Sequence, residues 1–273
     1  MKLSLKKYLK ERKYLKKDRF SIDINNNNGE IDVILGHNKH ILNNYKRDNI
    51  KLKGDWYYNN ISSNTDFLLY IIESYNITKM NIIGTSKSCT GCVILTKELL
   101  KTISSVELHL FMFSAYTTVD KNVYIKRNII HKVPGSLKKL WESDRYTPEA
   151  IKKMEARNLM NQKNVHLYFF FPSYSKNGEK VLANRVTGDN VTHIELPVYM
   201  HNTLYPFWKK VENNKTIEIY ENEFREMHRY DYAFYSSMQE YKEYDFHLYA
   251  CLKNPKEFIE QLTKFKSQHK EDI

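Results

Sequence analysis

The amino-acid sequence predicts an α/β domain organised around a mostly parallel β-sheet. Short apolar runs of strand length, such as Met80–Ile83 and Val165–Phe171, alternate along the chain with segments whose apolar residues recur at helical spacing. The composition agrees, because 41% hydrophobic and 14% aromatic residues exclude disordered, collagen-like and coiled-coil proteins. A chain of 273 residues is also long enough to bury a core without a disulfide or a metal ion.

The individual elements follow from turn residues and periodicity. Asn28-Gly29 suits the positive backbone angles of a tight turn, so the strands that flank it are predicted to pair as a hairpin. The predicted helix Asp66–Tyr75 has one apolar face and a polar cap at Ser62–Thr65. Asn254-Pro255 indicates the start of a C-terminal helix. The other predictions are strands at Arg19–Ile24, Glu30–Leu35, Val106–Phe113 and Val191–Leu196, an ambiguous strand within residues 51–60 through Trp56–Tyr58, a helix at Cys92–Leu100 and a mostly helical insert over residues 136–160.

Positive charge is concentrated at the start of the chain, within an overall excess of 43 lysines and arginines over 32 acidic residues. Residues 2–19 hold nine basic side chains against Glu11 and Asp18. Apolar residues recur there at helical spacing, so residues 1–20 are predicted to form a basic amphipathic helix. A solvated helix that packs a thin apolar stripe on the core accounts for this pattern. The alternative is attraction to an anionic surface, although no nucleic-acid-binding module is recognisable and no nucleic acid is expected.

The rest of the chain divides into a domain over residues 21–210 and an acidic, tyrosine-rich C-terminal appendage over residues 211–273. Residues 211–250 contain nine acidic side chains against four basic ones. Three cysteines do not make a secreted disulfide framework. No apolar run approaches the roughly 18–20 residues of a membrane span. The N-terminus lacks the apolar core of a secretory signal. We therefore expect a cytoplasmic protein whose contact with the inner face of a membrane, if made, is peripheral.

The most specific chemical signal is the segment Gly84-Thr85-Ser86-Lys87-Ser88, between a predicted strand and a predicted helix. A serine nucleophile at such a turn has a strained backbone, so the residues two before and two after it must be small. Gly84 and Ser88 meet this requirement, with Ser88 in place of the usual second glycine. The turn exposes the Ser86 hydroxyl and directs the Lys87 backbone amide toward a developing oxyanion.

This segment and the order of elements resemble the α/β-hydrolase superfamily. Together with His201-Asn202, the segment is similar to the serine-dependent acyltransferases of bacterial capsule loci, which O-acetylate capsular polysaccharide. The resemblance implies a three-layer sandwich and an acyl-serine intermediate at Ser86. It also implies acetyl-CoA as an acyl donor, an anionic polysaccharide or sugar as acceptor, and neither a metal ion nor a tightly bound cofactor.

The same resemblance suggests the remaining site residues. His201 follows the last predicted strand and would act as the base, and the region of His37 would supply a second oxyanion amide. The carboxylate of the triad is assigned to Asp189, with Glu179 and Asp120 as alternatives, each of which is equally consistent with an ordinary turn acid. If none of the three reaches His201, a Ser–His dyad or an inactive protein remains.

Two further interpretations of the sequence stay open. The first is a non-catalytic relative that serves as a binding or assembly component of a polysaccharide-synthesis complex. The second is a thiol oxidoreductase, because Cys89 and Cys92 are spaced as a Cys-x-x-Cys pair near a helix start, and it requires an exposed Cys89 of low pKa. Packing of two small residues beneath the helix is the favoured explanation of this pair.

Overall fold

A seven-stranded sheet forms the centre of the molecule. The computed structural model describes residues 20–24, 28–36, 49–53, 61–173, 178–196, 203 and 255–268. Within these, the strand order is β1-β3-β2-β4-β5-β6-β7. Strand β1 pairs antiparallel with β3, and every other neighbouring pair is parallel. The strands are β1 (Phe20–Asp23), β2 (Glu30–Gly36), β3 (Asn49–Lys53), β4 (Lys79–Thr85), β5 (Glu107–Phe113), β6 (Val165–Pro172) and β7 (Val191–Leu196).

Helices cover both faces of this sheet. Helices α1 and α2 pack on one face, where their apolar residues join those of the strands in one buried cluster. On the other face, Phe258 of α7 lies against Phe170 of β6 with ring centroids 6.3 Å apart. The predicted α/β sandwich with a mostly parallel sheet is thereby confirmed. The helices are α1 (Ile61–Tyr75), α2 (Ser88–Leu99), α3 (Lys121–Lys126), α4 (Gly135–Trp141), α5 (Pro148–Met154), α6 (Glu179–Ala183) and α7 (Pro255–Gln268).

The predicted N-terminal hairpin is wrong. Gly29 has the expected positive φ of 83°, but β3 lies between β1 and β2. The reason is that β2 is almost entirely buried and pairs in parallel on both sides, with β3 and β4. The strand predicted within residues 51–60 overlaps β3, which begins two residues earlier, at Asn49. Its predicted centre Trp56–Tyr58 lies outside the described residues, as do residues 1–19 and 204–254.

Helix boundaries differ from the predictions by a few residues. Helix α1 begins at Ile61, five residues before the predicted start at Asp66. Thr65 does not cap it, because its hydroxyl donates to the Ile61 carbonyl inside the helix. Helix α2 begins at Ser88, four residues before the predicted start at Cys92. Helix α7 begins at Pro255, as the sequence predicts. Among the helices that the structure describes, none is long and apolar enough to span a membrane.

The segment between β5 and β6, called the insert below, contains α3, α4 and α5. The predicted helical insert over residues 136–160 corresponds to α4 and α5 and does not include α3. The insert is fastened to the domain by hydrogen bonds to backbone carbonyls. The Trp141 indole N–H donates to the Val119 carbonyl over 2.8 Å. From α2, the Lys97 ammonium donates to three carbonyls at the end of α5, those of Lys152, Lys153 and Glu155. These bonds satisfy acceptors that a helix end leaves open.

A polar row crosses the sheet near its amino edge, where the parallel strands begin. Its members are Asp32, Asn81, His109 and His166, which are register partners on adjacent strands. Asn81 donates to the Asp32 carboxylate over 2.7 Å. The rings of His109 and His166 stack with centroids 4.5 Å apart. Burial, followed by the nearby His166 and Lys79, lowers the pKa of His109 to about 4, so this ring is neutral at pH 7.

Candidate active site

Ser86 occupies a sharp turn between β4 and α2. Its φ angle is +54°, a conformation that costs a non-glycine residue roughly 1–2 kcal/mol. The backbone is held on both sides of this turn. The Ser86 amide donates to the Phe113 carbonyl over 2.8 Å, and the Ser86 carbonyl accepts from the Cys89 amide over 3.1 Å. The structure therefore has the strained turn that the spacing of small residues predicts.

Close packing explains why glycine stands two residues before Ser86. A Cβ atom on Gly84 would lie 2.5 Å from Cys92 Sγ, 3.0 Å from the Ser88 carbonyl carbon and 3.1 Å from the Cys89 nitrogen. Two of these three atoms belong to the α2 backbone, which cannot move away as a flexible side chain can. Gly84 thus lets α2 double back tightly against β4.

The tip of the turn is the accessible part of this region. Every residue from Met80 to Thr96 is buried except Ser86 and Lys87, which are half-buried. Lys87 has helical backbone angles and directly precedes the first residue of α2. Ser86 is therefore presented at the carboxyl edge of the sheet, at the start of a 12-residue helix whose positive dipole end favours developing negative charge.

The two cysteines near the turn are packing residues. Cys89 and Cys92 are free and at most 1% exposed. Burial is the main cause that raises the pKa of both thiols above their usual value. A buried thiol of raised pKa forms little thiolate, so this pair does not meet the requirement of a thiol oxidoreductase.

The structure does not bring Asp189 to Ser86. Asp189 is exposed and lies two residues before β7 begins. Because β4 and β7 run in the same direction, this position is at the amino edge, whereas Ser86 is at the carboxyl edge. The six residues of β7 alone separate these edges by about 20 Å. The assignment of Asp189 as the triad carboxylate is corrected on this ground.

The two alternative carboxylates lie at the correct edge but in different environments. Asp120 caps α3, where its carboxylate accepts from the Asn122 amide over 3.0 Å, and this is the ordinary role of a turn acid. Glu179 follows β6 and is only 1% exposed. It is preceded by Gly178, which has a φ of +80° and packs against Ile129. A carboxylate buried to this extent requires a polar partner, so Glu179 is the stronger candidate.

Two predicted site residues, His37 and His201, lie outside the described residues. The two histidines that the sequence assigns to strands have structural contacts. His166 stacks on His109, and His193 is within hydrogen-bond distance of the Ala183 carbonyl, at 3.1 Å.

One residue of this edge escaped prediction from the sequence. Ser114 follows β5, is fully buried and has a φ of +52°. Its hydroxyl is 2.9 Å from Thr203 Oγ1. A serine after a strand carries no spacing signal of its own, and its partner is 89 residues away.

Comparison with known proteins yields structural neighbours only. No protein-family model matches the chain, and no curated protein matches it. An HSL homolog from a metagenome library is 12% identical, with a TM-score of 0.48 over 76% of this chain and 85% of its own. A lipase-esterase related protein from Clostridium acetobutylicum is 12% identical, with a TM-score of 0.41 over 76% and 98%. An α/β-hydrolase enzyme from a lagoon-sediment metagenome is 9% identical, with a TM-score of 0.43 over 76% and 94%.

The sheet order, the turn after β4 and the helices on both faces describe the architecture of this chain. It is an α/β fold with a mostly parallel sheet. Identities this low transfer no residue role, so the chemistry depends on the residues of this chain.

Proposed function

We propose that the protein is a serine-dependent acyltransferase or esterase that acts on a carbohydrate, with Ser86 as nucleophile. The observation that carries the proposal is the +54° φ of Ser86 at an accessible strand-to-helix turn within a buried region. Strain of this kind persists only where the surrounding packing enforces it, and Gly84 provides that packing.

His201 is the proposed base and Glu179 the proposed carboxylate. Thr203, two residues from His201 in the chain, lies at the end of β5, the strand next to the one that carries Ser86. Glu179 is buried at the same edge of the sheet and can stabilise the protonated form of a histidine. A catalytic imidazole needs an acceptor that fixes its tautomer.

The proposed reaction has two half-reactions. Ser86 Oγ attacks the acyl carbon of an ester or thioester while His201 takes the hydroxyl proton. The bond from the acyl carbon to the leaving oxygen or sulfur then breaks, and the leaving group receives that proton. A sugar hydroxyl or water next attacks the acyl-serine, its proton passes through His201 to Ser86 Oγ, and the free enzyme returns. The backbone amides of Lys87 and His37 are the proposed oxyanion donors.

Charge supports an anionic acceptor such as a capsular polysaccharide, with acetyl-CoA as the donor. The insert after β5 holds six lysines and arginines and no acidic residue between Lys121 and Trp141. Helices α3 and α4 of this insert pack together through Tyr124 and Trp141, whose ring centroids are 5.4 Å apart. Five of the six basic side chains are exposed, namely Lys121, Lys126, Arg127, Lys138 and Lys139. Such a surface attracts polyanions and the phosphates of coenzyme A.

Labelling with a fluorophosphonate probe tests the nucleophile directly. We expect one adduct, located at Ser86 by mass spectrometry, which is lost in Ser86→Ala and strongly reduced in His201→Ala. Ser105→Ala serves as the matched control, because Ser105 is an exposed serine two residues before β5, at the amino edge. No adduct on any serine of the folded protein would favour the non-catalytic binding or assembly component instead.

The substrate class needs its own experiment. Transfer of labelled acetyl groups from acetyl-CoA is measured with an anionic and a neutral polysaccharide at increasing sodium chloride. We expect the anionic acceptor to be preferred at low salt and the preference to decline as salt screens the insert. Hydrolysis without transfer to either polymer would identify an esterase.

A further inference from the structure

Two large apolar side chains are exposed among the residues that the structure describes, Ile125 on α3 at 54% and Val181 on α6 at 37%. Their surroundings differ in charge. Beside Val181, the Lys180 ammonium pairs with the Glu195 carboxylate over 2.8 Å, so its positive charge is neutralised. Ile125 lies instead within residues 121–141 of the insert, which contain six lysines and arginines and no acidic residue. Of the two exposed apolar side chains, Ile125 is therefore the one set in a positively charged segment.

The exposure of Ile125 is imposed by the packing of α3. The preceding residue, Tyr124, is fully buried, and its hydroxyl donates to the Thr118 carbonyl over 2.9 Å. At the end of the helix, Asn128 has a φ of +55°, and its amide donates to the Ile125 carbonyl over 3.0 Å. Rotating α3 to bury Ile125 would withdraw Tyr124 from the core and break its hydrogen bond. The helix thus holds an isoleucine in water, where the side chain adds little to the stability of the fold.

The positive charges around Ile125 are available to a partner. The exposed ones are those of Lys121, Lys126, Arg127, Lys138 and Lys139. None of these five side chains takes part in an ion pair that the structure describes. Close to an anionic bilayer, each such side chain raises the partitioning of a protein onto the bilayer by about fivefold. Residues 121–141 therefore offer both of the attractions that hold a protein at a membrane surface, charge and an apolar side chain.

We infer that residues 121–141 dock on an anionic phospholipid bilayer, with Ile125 inserted between the lipid headgroups. This inference goes beyond the proposed function and does not depend on it. The lysines and arginines alone would serve a soluble polyanion equally well. A hydrated polymer leaves the Ile125 side chain in water, whereas a bilayer buries it, and this burial is what favours the lipid surface.

Docking is measured by cosedimentation of the full-length protein with lipid vesicles. The vesicles are made of phosphatidylcholine alone or of phosphatidylcholine mixed with phosphatidylglycerol. We expect the protein to bind the mixed vesicles and not the neutral ones. Sodium chloride should weaken this binding, because salt screens the attraction between the basic side chains and the lipid phosphates.

Variants at exposed positions separate the two attractions without disturbing the core. Ile125→Asn removes the apolar side chain and should lower partitioning by about 5- to 10-fold. Ile125→Trp introduces a side chain that prefers the membrane interface and should raise it by about threefold. Lys126→Gln removes one charge and should lower it by about fivefold. The matched controls are Val181→Asn and Lys163→Gln, which change exposed residues outside residues 121–141 and should bind as the unmodified protein does.

Three outcomes would overturn the inference. The unmodified protein could fail to bind the mixed vesicles. Binding that falls in Lys126→Gln and stays unchanged in Ile125→Asn would identify attraction by charge alone, as for a soluble polyanion. Equal binding of all variants would assign the membrane contact to another part of the chain. Fluorophosphonate labelling of Ser86 is measured without vesicles, so its success or failure bears on the proposed function and not on the docking.

Discussion

Beside the strands, positive φ angles of the described non-glycine residues fall on asparagine at the amino edge and on serine at the carboxyl edge, and the remaining one, Asn128, follows α3. Asn76 precedes β4 and Asn161 precedes β6, while Ser86 and Ser114 directly follow β4 and β5. Asparagine is several-fold enriched in this conformation, because its short amide bonds locally to the backbone. Serine has no such enrichment, so the carboxyl edge carries backbone strain that the amino edge avoids.

The amino edge contains a network of structural hydrogen bonds around Asn190. The Asn190 side chain accepts from the Asn161 amide over 2.8 Å and donates to the carbonyls of Leu159 and Val165, each over 3.0 Å. Asp189 is the exposed neighbour of this network. At the carboxyl edge, the strained residues are instead held by packing and by contacts between distant segments. The comparison indicates that hydrogen bonds secure the amino edge, whereas the carboxyl edge carries strained residues, among them the proposed nucleophile.

The largest expected effect comes from neutralising one carboxylate at each edge, in separate variants. Glu179→Gln keeps the shape of the side chain and removes the charge that would stabilise a protonated His201. We expect the rate of fluorophosphonate inactivation to fall by about 10²- to 10⁴-fold. Asp189→Asn at the amino edge should leave it within about twofold. A reversed result, with Asp189→Asn the slower variant, would contradict the comparison.

The next largest effect is on stability at the turn. Gly84→Ala places a Cβ 2.5 Å from Cys92 Sγ and close to the α2 backbone, so we expect the free energy of unfolding to fall by about 3 kcal/mol. Gly135→Ala is the control, because a Cβ there meets nothing within 4 Å, and it should stabilise by about 0.5 kcal/mol. Urea unfolding measures both. Equal effects at the two glycines would show that close packing does not enforce the turn.

The polar row near the amino edge should make stability depend on pH. The pKa of His109 is lowered to about 4, so the unfolded chain binds more protons than the folded one between about pH 4 and 6.5. The free energy of unfolding is therefore highest above pH 6.5 and decreases on acidification toward pH 4, by about 2 kcal/mol from this group. His109→Phe should flatten this part of the profile.

The control for this pH dependence is His131→Asn, which replaces an exposed histidine of the insert. It should retain the full dependence on pH. An unchanged slope in His109→Phe would mean that another group causes the loss of stability in acid.

How far the sequence predicted these two edges depends on whether the signal is local. The turn at Ser86 is predictable because it requires small residues at fixed spacing around the serine. The strand Val191–Leu196 was also predicted correctly, and in a parallel sheet it already places Asp189 before a strand and away from the turn at Ser86. The pairing of β1 with β3 and the Ser114–Thr203 contact were not predictable, because they join segments far apart in the chain.

The smallest expected effect measures the strain itself. Ser86→Gly removes a steric cost of roughly 1–2 kcal/mol and increases the entropy of the unfolded chain, which costs about 0.5–1 kcal/mol. We expect a net rise of about 0.5–1 kcal/mol in the free energy of unfolding, with loss of reaction at residue 86. Asn161→Gly has the same entropic cost and little strain to release, so it should destabilise slightly. Opposite signs in urea unfolding would establish that strain is stored at the carboxyl edge, and equal destabilisation would show that the turn at Ser86 is no more strained than an asparagine turn.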